Sequence, residues 1–99
     1  MSTFNEEKRK ILVKSIFSLT SFIDLKRTLT ELSIEKHLSK TKSINQINKY
    51  YKLNNFRYLK AIAGNPITPE LILNELTNVK DVKYAIQIRN LASKNLSAR

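Results

Sequence analysis

Apolar positions along the chain recur at three- and four-residue steps, and nowhere does a period-two alternation survive beyond five residues. Such spacing lines one face of an α-helix and does not suit half-buried strands. Ile11, Leu12, Ile16, Leu19 and Ile23 form one stripe, and Phe22, Leu25, Leu29 and Leu32 a second that reads as core-facing. Ser18, Thr20 and Ser21 weaken the helix where the stripes meet, so the pattern predicts helices over about 4–19 and 22–38. Thr3 with Glu6 has the spacing of a capping box at the start of the first.

Punctuation is clearer further along. Ser43 with Gln46 is a second capping box, opening a helix with Ile44, Ile47 and Tyr51 on one face. Leu53-Asn54-Asn55 reads as a turn whose asparagine caps a helix from Phe56 to Ala63. Gly64 then suits the left-handed position past a helix end, and Pro66 prevents continuation. In Thr68-Pro69-Glu70, threonine is expected to cap, proline to take the first helical position, and glutamate to face the positive end of the dipole. Leu71, Ile72, Glu75 and Leu76 follow, and Asn78 closes that helix. Asp81 is expected to cap a last helix with Val82, Ala85, Ile86 and Leu91 in the core. The fold class is therefore all-α, with five or six short helices.

The stretch Ala61-Ile62-Ala63-Gly64-Asn65-Pro66-Ile67-Thr68-Pro69, with the Leu71–Leu76 helix after it, resembles the variant leucine-rich repeat family over about residues 59–96. Lys83-Tyr84-Ala85-Ile86 looks like the start of a second unit, which departs at Arg89-Asn90-Leu91-Ala92 by lacking proline. The resemblance implies a helical-repeat binding scaffold without catalysis, with Leu71, Leu76, Val82 and Ile86 in shared contact. Repeats cannot bury a core alone, so residues 1–40 would be a helical hairpin or cap and 41–99 the repeat-like part of one domain spanning 1–99. The iron–sulfur cluster of the family's best-known members does not carry over, because the chain has no cysteine. Residues 43–62 also resemble a helix-turn-helix through Ile47, Tyr51, Leu53, Asn54, Tyr58 and Ile62. Asn48 and Lys52 depart from that pattern where a small residue and a glycine are wanted, and Phe56 and Leu59 would fall on the reading face.

Composition changes the picture by exclusion. Without cysteine there is no thiolate metal site, disulfide or cysteine nucleophile, and one histidine, His37, cannot supply a two-imidazole site. One glycine leaves no glycine-rich phosphate loop. His37 reads as a surface or capping residue, Glu31 and Glu35 as partners for Lys and Arg, and Asp81-x-Lys83 as too little of a nuclease motif. No constellation combines nucleophile, base and stabiliser, so an enzyme is not expected, nor a cofactor. The longest charge-free run of the N-terminal apolar stretch, Ser15 to Ile23, is nine residues, so neither a membrane span nor a signal-peptide core is expected and the protein reads as cytoplasmic.

Charge is the positive signal. Eighteen Lys and Arg stand against eight Asp and Glu, a formal net charge of +10. Between Glu35 and Glu70 there is no acid, while Lys36, Lys40, Lys42, Lys49, Lys52, Arg57 and Lys60 add seven positive charges among Tyr50, Tyr51, Phe56 and Tyr58. Phosphate neutralisation needs such a cluster, and Lys42, Lys49, Lys52, Arg57 and Lys60 are its candidate nucleic-acid contacts. The expectation is a small, basic, non-enzymatic nucleic-acid-binding protein, accessory or regulatory. The Lys/Asn/Ile-rich composition of an AT-rich genome fits a bacterial or bacteriophage source. The alternative is a helical adaptor or inhibitor that docks on an acidic surface of another protein.

Overall fold

A computed structural model describes residues 23–99. The expected helix over 4–19, its Thr3–Glu6 capping box and its apolar stripe up to Phe22 lie outside the described residues. Among those described, five helices and no strand are present, as the hydrophobic spacing predicts: α1 over 23–40, α2 Ile44–Tyr51, α3 Phe56–Gly64, α4 Glu70–Leu76 and α5 Ala85–Ser97. No described helix is long and apolar enough to cross a membrane.

The chain divides into two compact units, Met1–Thr30 and Glu31–Arg99. In the first, described from residue 23, Leu25 and Leu29 are each 57% exposed, and the Thr30 hydroxyl donates to the Lys26 carbonyl at 2.9 Å. In the second, Leu32 is exposed and α1 meets the core through Leu38 and, less deeply, Ile34. The stripe expected from Leu25, Leu29 and Leu32 is thus not the buried one. Ile34 lies two residues beyond Leu32, about 200° around the helix, so the core-facing side is nearly opposite.

The core of the second unit gathers Leu38, Ile47, Tyr58, Leu59, Ile62, Leu73, Leu76 and Ile88, with Ala61, Ala63 and Ala92 allowing close approach. Helix α3 is its centre: five of its nine residues are buried, and it packs against α2, α4 and α5. Helices α4 and α5 also pack together, but only part of the expected shared contact is present. Leu76 is buried and Val82 partly so, whereas Leu71 and Ile86 are 71% and 67% exposed. Ile72, Leu73 and Ile88 take the inward positions instead, one or two residues round each helix.

The connector between α3 and α4 is a polar hub. Asn65, 1% exposed, donates through Nδ2 to the carbonyls of Leu38 (2.7 Å) and Thr41 (2.9 Å), and its Oδ1 accepts from the Ile67 amide (2.9 Å). Asn95 Nδ2 of α5 donates to the carbonyls of Ala63 (3.0 Å) and Asn65 (2.7 Å). The Arg99 guanidinium donates to the carbonyls of Pro66 and Thr68. Buried polar groups must be paired, and here three helices are joined in doing so.

Three local expectations change at these joints. Thr68 is fully buried and donates its hydroxyl to the Ile62 carbonyl at 2.6 Å; it does not cap α4, whose N-cap is Pro69 without a side-chain bond. Gly64 is the last residue of α3 and has no positive φ, because Asn65 ends the helix in an extended conformation. Asp81 does not cap α5; the N-cap is Tyr84, left-handed at φ 59°, without a side-chain bond. The side-chain caps at Ser43 and Asn55 are as expected, accepting from the amides of Gln46 (3.4 Å) and Arg57 (2.9 Å). The Ser43 amide, however, donates to Thr41 Oγ1 (3.2 Å) and not to Gln46, so the capping box is made in one arm only.

Candidate nucleic-acid interface

Helix α2 is held inward by Ile47, which is fully buried, and by Tyr50, whose ring meets Tyr58 edge-on with centroids 5.3 Å apart. With that face fixed, Lys49 and the C-capping Lys52 are exposed, as is Lys42 just before the Ser43 cap. The Lys49 ammonium lies 5.4 Å from the Tyr50 ring centroid, a cation–π distance. Lys36, His37 and Lys40, at the end of α1, are exposed too and line a shallow depression with Ser33 and Thr41. None of these lysines has a carboxylate within 4 Å among the described residues.

The other two candidates have a different environment. Arg57 Nε lies 3.4 Å from Glu31 and an Arg57 terminal nitrogen 4.0 Å from Glu35, while Lys60 Nζ lies 3.1 Å from Glu35. Glu31 and Glu35, one turn apart on α1, therefore face α3 and neutralise the end of the segment that has no acid of its own. The Arg57 Nε is buried and makes no well-aligned hydrogen bond, so its link to Glu31 is one of charge alone. Of the five named residues, Lys42, Lys49 and Lys52 are exposed without an ion pair among the described residues, and Arg57 and Lys60 are in ion pairs.

The aromatic residues of the segment are mostly structural. Tyr58 is buried, and burial, then the nearby Glu31 and Tyr50, push its phenol above the usual range. Tyr51 donates its hydroxyl to Glu75 on α4; burial first, then that bond and the carboxylate charge, push it up to about 12. A reading helix must present its side chains to a groove, but α3 has Leu59 buried and Phe56 half-buried. The α2–turn–α3 segment therefore serves the core.

Sequence reasoning missed a second cluster. Phe56, the first residue of α3, packs against the exposed Tyr84 with ring centroids 5.6 Å apart and planes inclined at 56°. Lys83 Nζ lies 5.2 Å from the Phe56 centroid and 5.3 Å from that of Tyr84, and the Arg57 guanidinium lies 5.0 Å from Phe56. Beside Tyr84 runs a groove of about 780 Å³ along α5. The one sequence signal was the lack of a capping residue immediately before Ala85, which the more distant Asp81 obscured. Among the described residues no three His, Asp or Glu side chains gather as metal ligands.

Comparison with protein-family models, curated proteins and solved structures finds no match for this chain.

Proposed function

We propose that this is a non-enzymatic nucleic-acid-binding protein, of accessory or regulatory kind, that engages phosphates through Lys42, Lys49 and Lys52. The observation that carries the reading is the sorting of charge. Glu31 and Glu35 pair with Arg57 and Lys60 and Glu75 is bonded to Tyr51, while the three lysines on and around α2 stand exposed without a described carboxylate partner. Exposed lysines without partners add little to stability, and neutralising phosphate releases counterions.

The test is binding to duplex DNA across a salt series. Three phosphate contacts give a slope of about −2.7 in log affinity against log salt. Changing Lys42, Lys49 and Lys52 together to Gln should flatten that slope and leave the melting temperature within a few degrees. Arg57→Gln with Lys60→Gln should do the reverse, lowering stability while leaving the slope. Equal slopes in all three proteins would sink the proposal.

A second reading, a helical adaptor docking on an acidic protein surface, draws support from the exposed Leu71 and Ile86. It predicts a stoichiometric protein partner from nuclease-treated lysate, with DNA and RNA affinity indifferent to the lysine triple.

A further inference from the structure

Tyr84 is held in a conformation that its residue type does not favour. At φ 59° and ψ 32° it is left-handed, a region that a bulky side chain occupies at a cost. Asn54 has nearly the same φ, 52°, in the α2–α3 turn, but asparagine tolerates it. Glycine or asparagine at position 84 would begin α5 with less strain. The tyrosine does not cap the helix either, since it makes no side-chain bond to the first-turn amides. What the residue does provide is an aromatic side chain on a residue 53% exposed, its ring tilted against Phe56 and with the Lys83 ammonium over it at 5.3 Å from the centroid.

The groove beside it has a matching character. Lys80, Arg89 and Lys94 line it together with Tyr84, Ile86 and Leu91, and no carboxylate does among the described residues. A cationic groove with an aromatic at its margin is the combination by which proteins hold single strands: the cations follow the phosphates and a base stacks on the ring. Ile86 and Leu91 offer apolar surface to sugars and base faces. A duplex keeps its bases paired and stacked, so the ring would add nothing to duplex binding.

We infer that Tyr84, supported by Phe56 and Lys83, is a stacking platform for an unpaired base, with the strand's phosphates running along the α5 groove past Lys80, Arg89 and Lys94. This inference rests on the nucleic-acid reading above and adds the class of nucleic acid. It also gives the exposed part of the strained tyrosine a role beyond its packing against Phe56.

The test uses the full chain and three fluorescein-labelled probes read by anisotropy: oligo(dT) of fifteen nucleotides, an abasic strand of the same length, and a fifteen-base-pair duplex. The wild-type protein should prefer oligo(dT) to the abasic strand by roughly 5- to 150-fold, the effect of stacking one base. Tyr84→Gly should erase that preference, leave duplex binding unchanged, and melt within a few degrees of wild type because glycine suits the backbone. Tyr84→Phe should keep the preference. Changing Lys80, Arg89 and Lys94 together to Gln should reduce the oligo(dT) salt slope by about 2.

If Tyr84→Gly binds oligo(dT) as wild type does, or weakens duplex and single strand alike, the platform is refuted while phosphate binding through Lys42, Lys49 and Lys52 stands. If wild type binds none of the three probes, both readings fail together.

Discussion

Two connectors flank α4, and they are built on opposite principles. The Asn65–Pro69 connector is saturated: Asn65 and Thr68 are buried, and the segment bonds to α1, α3, α5 and Arg99. The 77–84 connector has Val79 and Val82 leaning on the core, but among the described residues its side-chain hydrogen bonds reach back only to Asn74. It ends in a strained, exposed tyrosine beside Lys83. Where polar and strained features are paid for by internal bonds, as at Asn65, structure accounts for them. At Tyr84 the side chain caps nothing and meets Phe56 and Lys83, so the strain points to a ligand as the test of the proposed platform.

The contrast is broken most directly at Asn65. Asn65→Ala leaves two carbonyls and one amide without their partners, at about 1–3 kcal/mol for each group left unsatisfied, so a loss of about 3 kcal/mol or more is expected in urea denaturation. A loss below about 1 kcal/mol would show that water replaces the side chain and that the hub is not special. Thr68→Val removes one buried hydroxyl bond and should cost about 1–2 kcal/mol, through the end of α3 and not through any cap on α4.

A smaller effect is expected at Tyr51, whose bond to Glu75 ties α2 to the end of α4 next to the looser connector. Tyr51→Phe should cost about 1 kcal/mol at neutral pH. The wild-type phenol is raised to about 12 by burial, the Glu75 bond and the Glu75 charge. The folded state therefore holds that proton more tightly than the unfolded state does. The contribution is complete below pH 10 and lost as pH rises from there toward 12. The stability difference between wild type and Tyr51→Phe should narrow over that interval, and a constant difference would remove the linkage. Smallest is Gly64→Ala, at the edge of the hub. An added Cβ meets nothing within 4 Å and φ is not positive, so a gain of about 0.4–1 kcal/mol is expected in thermal melts.

What could be read from the sequence was the local part. Ser43 and Asn55 cap as their spacing implies, because the amides they meet are two or three residues away. The break after Gly64 and the helix after Pro69 stand where the punctuation put them, yet Gly64 and Thr68 do different work from that expected. Their roles depend on Asn65 and on the Ile62 carbonyl, and no cap rule contains those partners. The same limit governs charge. Glu31 and Glu35 do pair with basic residues, but with Arg57 and Lys60, more than twenty positions along. A segment without acids in sequence therefore has acids beside it in space, which is why three of the five named contacts remain exposed and two do not. Tyr84 gave no periodic signal, since an exposed ring at a helix start belongs to no stripe.

The Ile67 amide illustrates what a buried side-chain acceptor does to time scales. Amides in short connectors ordinarily exchange with solvent deuterium through small local fluctuations. Ile67 donates instead to Asn65 Oδ1, whose own amide group is held by Leu38 and Thr41. Turning the Asn65 side chain away from Ile67 would also break its bonds to Leu38 and Thr41, so Ile67 should exchange more slowly than an amide held by an unanchored side chain. The amides of Lys83 and Tyr84 should exchange orders of magnitude sooner. A single non-helical amide would then report whether the Asn65 anchor is in place.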